Sequence, residues 1–223
     1  MNTAPMDYDS DPGRWASHDP AWMLDGDIHD DVATGIKAAG LRPVLDVGCG
    51  GGHLGRLLPD CWPLVGLDAS PTQLRHQQPG LLIQGDARRL PFADATFGAV
   101  AALWMLYHLA DPASAIAEAR RVLVPGGLFY ACTSSRFNDP ELIHEYPATS
   151  FDAEEAEEIV AAVFESSLVT VVRWDAPLVR LADREAVGRY LRSHWLAADI
   201  ADRVQLPLTL TKRGCLVIGR REL

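Results

Sequence analysis

Apolar residues recur along this chain with two spacings. Short, nearly continuous runs at 43–48, 63–68, 81–84, 97–103 and 128–133 predict buried strands. Between them apolar positions return every three or four residues, which predicts helices at about 52–58, 70–78 and from the Asp111-Pro112 cap to about Leu123. Before the first strand, Asp19-Pro20 reads as a helix cap, and Met23, Leu24, Ile28, Val32 and Ile36 follow at helical spacing up to Gly40. Strand alternating with helix implies parallel strands joined by crossovers, so the fold class is α/β, a single doubly wound and mostly parallel sheet with helices on both faces. After residue 150 the alternation loosens. A helix at about 152–164 leads to a strand at 167–174, a second helix at about 183–196, a short one at 197–204, and a last strand at 214–219.

The first strand ends in an acid and runs into a turn dense in glycine, Val44-Leu45-Asp46-Val47-Gly48-Cys49-Gly50-Gly51-Gly52-His53. Gly48, Gly50 and Gly52 let a ligand approach bare backbone, and the helix that follows offers unpaired N–H groups. Asp68 closes the second apolar run, where a carboxylate can accept ribose hydroxyls. Gly50-x-Gly52-x-x-Gly55 also fits a dinucleotide fingerprint. Asp46 argues against that: a carboxylate just before the loop repels a pyrophosphate and suits a ligand that is cationic and free of phosphate.

Taken with Gln84-Gly85-Asp86-Ala87, Leu90-Pro91-Phe92-Ala93-Asp94 and Arg120-Arg121-Val122-Leu123-Val124-Pro125-Gly126-Gly127, the chain resembles the class I, Rossmann-like methyltransferases that use S-adenosylmethionine (SAM). The resemblance covers most of residues 40–133, with one departure, Gly98 where an Asp is usual. It implies a seven-stranded sheet whose last strand is antiparallel, with a helical insertion at about 177–211 that is either part of a substrate cap or a packing appendage. Residues 1–40 then form an N-terminal lid and helix, and 41–223 the SAM-binding domain. The expected cofactor residues are Tyr8, Asp46, Gly48, Gly50, Gly52, Asp68, Ala69, Asp86, Ala87 and Leu103. Asp86 is expected to meet the adenine amino group, the Ala87 N–H a ring nitrogen, and Tyr8 the methionine carboxylate.

Leu103-Trp104-Met105-Leu106-Tyr107-His108 leaves the fourth strand at the edge where open α/β sheets bind ligands. His108 is the candidate general base, with a structural histidine as the alternative, and Tyr107 borders the same edge. Arg136, beyond the fifth strand, either forks an acidic substrate or pairs with the acidic N-terminus. His144, Tyr146, His194, Trp195 and Lys212 lie in variable regions, and nothing in their spacing singles one out.

Composition narrows the acceptor. The formal charge is −10 over 223 residues, and residues 1–31 hold eight aspartates against Arg14 alone. A nucleic-acid substrate is therefore not expected. The four cysteines have no metal-ligand spacing and read as reduced core thiols, and no metal is expected. With no membrane span and no signal-like leader the expected location is cytoplasmic. The expected function is methyl transfer to O or N of a small molecule, in specialised metabolism. The alternatives are a SAM-binding regulatory protein without activity, a protein or peptide methyltransferase, and an NAD-linked oxidoreductase. The oligomeric state is not encoded in any feature of the sequence.

Overall fold

A computed structural model describes residue 9 and residues 20–24, 26–75, 81–144 and 146–223. Strands β1 (Val44–Val47), β2 (Leu64–Asp68), β3 (Leu81–Gln84), β4 (Phe97–Leu103), β5 (Leu123–Ser134), β6 (Val169–Leu181) and β7 (Leu208–Arg220) form one sheet in the order β3-β2-β1-β4-β5-β7-β6. The first five are parallel, and β7 runs antiparallel to both β5 and β6. This is the expected sheet, with its reversed last strand.

Side-chain alternation divides the sheet into two faces. Phe97, Val100 and Ala102 of β4 join Leu45 and Val47 of β1 on one face, against α4 (Pro112–Val122) and α5 (Ala156–Phe164). Ala99, Ala101 and Leu103 join Val44 on the other, against α1 (Ile28–Ala38) and α2 (His53–Leu57). Asp46 and Asp68 alternate onto this second face. The remaining helices are α3 (Pro71–Leu74) and α6 (Arg184–Ser193).

Three boundaries differ from the sequence reading. The N-terminal helix starts at Ile28, capped by Asp27, whose side chain accepts from His29 N; Pro20–Trp22 is only a 3-10 turn. Pro125-Gly126-Gly127 does not precede β5 but bulges within it, the register stepping from Phe97↔Leu123 to Ala99↔Leu128. The segment at 177–211 is less helical than expected. Pro177 to Leu181 and Leu208 to Thr211 pair as the outer arms of the β6–β7 hairpin, and only 184–193 and the 3-10 turn Ala198–Asp202 are helical.

Those arms, α6 and the 3-10 turns carry a third core of Trp22, Leu142, Val179, Leu181, Val187, Tyr190, Leu191, Ile200 and Leu210. This cap is fastened to the sheet by a buried polar knot. Asp139, fully buried just beyond β5, accepts from Tyr146 Oη at 2.8 Å, Tyr190 Oη at 2.7 Å and Lys212 Nζ at 2.8 Å. Burial first, and then the Asp139 charge, push both phenols well above their ordinary pKa. Tyr146 and Lys212 are thus spent on holding the cap.

Candidate active site

The glycine turn after β1 is shaped by backbone conformation. Gly48, Gly50 and Gly52 have φ of +68°, +48° and +75°, the left-handed region that side chains other than glycine rarely adopt. A Cβ at Gly48 would also lie 2.7 Å from Met105 Cβ. A Cβ at Gly51, in contrast, would meet no atom within 4 Å, so the rim of the turn is open to a ligand.

Asp68 braces this turn. Its Oδ2 accepts from Gly50 N at 2.9 Å and its Oδ1 from Ser70 N at 2.8 Å. Each oxygen keeps a second lone pair for a further donor. Ala69 is exposed, and its carbonyl accepts from Gln84 Nε2 at 3.2 Å. The leader reaches this point too: Asp9 accepts from Ser70 Oγ at 2.7 Å and Thr72 N at 3.3 Å. Tyr8 lies outside the described residues.

Asp46 is the anomaly of the site. It is 5 % exposed, and no hydrogen bond reaches its carboxylate among the described residues. Burial pushes its pKa to about 7, against a partial pull from His29 and with a further push from Asp68. Buried carboxylates are ordinarily paired or hydrogen-bonded. One that is neither, beside an open glycine turn, fits a cationic ligand group and does not fit a phosphate.

Asp86 already has a partner. Arg88 forks it, Nε to Oδ1 at 3.0 Å and Nη2 to Oδ2 at 2.8 Å, and Arg88 N adds a bond of 2.9 Å. An open cleft of 630 Å³ runs beside it, lined by Arg88, Arg89, Asp111 and Ser114. Ala87 is buried behind Asp86. Leu103 is buried at the end of β4, and Trp104 follows at φ +57°, a costly conformation for an aromatic residue and one concentrated at functional sites.

The expected catalytic residues are not gathered equally. His108 and Tyr107 lie together beyond β4, their rings 4.3 Å apart. Burial lowers the His108 pKa to about 4, so it is uncharged at neutral pH and a weak base there. Among the described residues Arg136 faces three carboxylates and not an open cleft. It sits among Asp152 at 3.1 Å, Glu154 at 3.5 Å and Glu155, all on the segment leading into α5. That ties the β5 exit to α5, and an acidic substrate would have to displace three carboxylates.

Two groups escaped the sequence reading. One is the Asp139 knot, whose partners are as distant in sequence as Lys212. The other is Asp27–His29 at the start of α1, hidden because Asp19-Pro20 looked like the cap. The visible signal was a second aspartate, Asp27, one residue before Ile28.

The family described as "Methyltransferase domain" matches residues 45–131. A ubiquinone biosynthesis O-methyltransferase of Cereibacter sphaeroides is 36% identical over 118 residues, 48% of this chain and 46% of the relative. The chain thus spans less than half the length of the curated relatives it matches first. Among solved structures, the N-methyltransferase NodS of Bradyrhizobium japonicum, in complex with S-adenosylhomocysteine, is 18% identical, with a TM-score of 0.54 over 99% of both chains. The [4+2]-cyclase SpnF is 19% identical, with a TM-score of 0.59 over 87% of this chain and 82% of its own. At such identities these structures speak to the fold alone. The matched segment contains most of β1, the glycine turn, Asp46, Asp68, Asp86 and the β4 exit: residues 45–131 are similar to a methyltransferase domain, and the sheet around them has the order that the class I, Rossmann-like resemblance implied.

Proposed function

We propose that this protein is a SAM-dependent methyltransferase acting on O or N of a small-molecule acceptor. The observation that carries the reading is the orphaned, buried carboxylate of Asp46 beside an open glycine turn, a seat that needs a cation and rejects a pyrophosphate. In this reading Asp46 and the turn at Gly48, Gly50 and Gly52 take the methionine ammonium. Asp68, already oriented by Gly50 N and Ser70 N, receives the ribose hydroxyls, with Ala69 beside it. Asp86 takes the adenine amino group on a lone pair left by the Arg88 fork, the Ala87 N–H meets a ring nitrogen, and Leu103 flanks the adenosyl group. When bound, SAM supplies a methyl group on a positively charged sulfur, a leaving group already activated.

What remains for the protein is to orient the acceptor, exclude water and hold a proton. The cap on its own core, with α6 and the β6–β7 arms, supports the second of these. His108 and Tyr107 border the reacting edge from β4. The acidic charge of the chain disfavours nucleic acid as acceptor, and the ubiquinone O-methyltransferase relative supports a small molecule. No helix among the described residues is long and apolar enough to cross a membrane. A cytoplasmic location and a role in specialised metabolism belong to the same reading.

The same fold is shared by SpnF, a [4+2]-cyclase by its name, so the fold does not fix the activity, and the second reading is a SAM-binding protein without transferase activity. One experiment separates the two. Calorimetry with SAM and S-adenosylhomocysteine measures binding, and a panel of phenols and amines is screened for S-adenosylhomocysteine release. Binding with release supports the transferase; binding without release across the panel supports the second reading. Absence of binding removes both.

A further inference from the structure

The first turn of α1 carries an acid–imidazole pair for which the cofactor seat has no use. Asp27 Oδ1 accepts from His29 N at 3.0 Å and from His29 Nδ1 at 2.6 Å. Burial alone would raise the Asp27 carboxyl; the hydrogen bonds from His29, joined by its charge when the ring is protonated, override it and lower the pKa to about 2. Asp27 is therefore ionised at neutral pH and can only accept, so Nδ1 carries the proton. In the neutral ring Nε2 then offers its lone pair. Nε2 makes no hydrogen bond among the described residues, and the His29 side chain is 15 % exposed, sheltered but reachable.

The fold sets this pair beside the glycine turn. α1 packs on the same face of the sheet as Asp46, Asp68 and Leu103. The His29 ring stacks on His53 at 5.0 Å, and His53 opens α2 directly after the glycine turn. His29 acts electrostatically on Asp46, and Asp27 on Cys132 near the end of β5. A base needs a free lone pair, an orienting group on its other nitrogen and a position at the reacting edge. His29 has the first two, and its stacking on His53 and its electrostatic action on Asp46 set it beside the glycine turn. His108 is uncharged through burial alone and is weak for the task.

We propose that His29, oriented by Asp27, accepts the proton of the methyl acceptor; this rests on the methyl-transfer reading above. As the acceptor's lone pair forms its bond to the methyl carbon, the former methyl–sulfur pair stays on sulfur as a neutral thioether. The acceptor's O–H or N–H proton moves to His29 Nε2, and the resulting imidazolium is balanced by Asp27. The groups in electrostatic reach of the ring are Asp27 at the cap of α1, His53 on α2 and Asp46 on β1; Asp30 of α1 and Arg56 of α2 act on His53, and Asp68 of β2 on Asp46.

The test has three readouts on the full chain. First, imidazole 15N chemical shifts report the His29 tautomer. Wild type is expected to carry the proton on Nδ1 and Asp27→Asn to lose that preference; a wild-type proton on Nε2 overturns the proposal. Second, diethyl pyrocarbonate labelling of His29, read by peptide mass, is expected to slow roughly tenfold with S-adenosylhomocysteine at ten times its Kd; unchanged labelling with the ligand bound overturns it. Third, on the acceptor that the phenol and amine panel identifies, His29→Gln is expected to lower kcat by about 10²–10⁴ and to abolish the acid limb of the pH profile, with calorimetric affinity for S-adenosylhomocysteine retained. Wild-type kcat in His29→Gln overturns the base role and leaves the transferase reading standing. If wild type binds no S-adenosylhomocysteine, that reading fails and the base role falls with it.

Discussion

Replacing Asp46 with Asn separates stability from function. In the free protein the carboxyl has its pKa raised from 3.8 to about 7 by burial. A carboxyl raised in the folded state is protonated in both states at low pH and costs nothing there. As pH climbs from 3.8 through 7 the unfolded chain ionises first, and stability is lost. The full difference corresponds to about 4 kcal/mol above pH 7. Asn is neutral throughout and carries only the pH-independent cost of a buried amide, about 1–3 kcal/mol. Asp46→Asn is therefore expected to be neutral or destabilising at pH 4 and stabilising at pH 8. For a chain of this length about 2–4 °C accompanies each kcal/mol, so the difference in Tm between variant and wild type should grow by on the order of 10 °C from pH 4 to pH 8. Thermal scans of both proteins without ligand, across that range, measure it. Affinity for S-adenosylhomocysteine should move the other way, falling roughly 10- to 150-fold at pH 8 for the loss of one charged hydrogen bond. A Tm difference that is flat with pH would refute the reasoning, because it would mean that the Asp46 carboxylate is satisfied in the folded protein.

Further outcomes follow from the same geometry. His108 has its pKa lowered to about 4 by burial, so the folded state resists its protonation; stability should fall as pH drops from about 6.5 through 4, by about 3 kcal/mol in total, and denaturant titrations of His108→Gln should lack that portion. Arg121 holds the Phe92 carbonyl at 2.8 Å, Asp94 at 2.7 Å and the Leu90 carbonyl at 3.1 Å, so Arg121→Ala should cost about 2–3 kcal/mol by urea unfolding while S-adenosylhomocysteine affinity holds. A Cβ at Gly98 would lie 2.5 Å from Arg42 N, so Gly98→Asp, which restores the residue usual in the family, should destabilise by about 1–3 kcal/mol or more through overpacking; a neutral effect on Tm would show that the Arg42 backbone yields. Lys212→Met leaves the buried Asp139 charge without its ion-pair partner and should cost about 3–5 kcal/mol, with hydrogen exchange rising first in α6.

The cofactor half of the site was legible because its chemistry is local in sequence. A glycine turn, and acids that end apolar runs, announce themselves within a few residues, and Asp46, Asp68 and Asp86 all fall where strands end. The sheet was legible for a similar reason, since seven runs bounded by turn residues leave little choice of architecture. Other features depend on partners that a linear reading cannot pair. Gly98 answers to the backbone of Arg42, and Arg136 to the segment entering α5. Asp139 gathers Tyr146, Tyr190 and Lys212 from three separate elements. The outer arms of β6 and β7 looked like part of an insertion because Pro177 interrupts one arm and their burial comes from the cap core. Asp27 was masked by a more conspicuous rival, the proline-backed Asp19 one short stretch upstream.

The Asp46 carboxyl, which titrates at about 7 in the free protein, gives up its proton when a cationic nucleoside ligand reaches it. Calorimetric titration of S-adenosylhomocysteine at pH 6, in buffers with different ionisation heats, counts the protons exchanged on binding. With the free carboxyl titrating at about 7, wild type should release on the order of one proton more than Asp46→Asn does. Equal proton release by the two proteins, or no heat with S-adenosylhomocysteine while NADH binds tightly, would contradict the account.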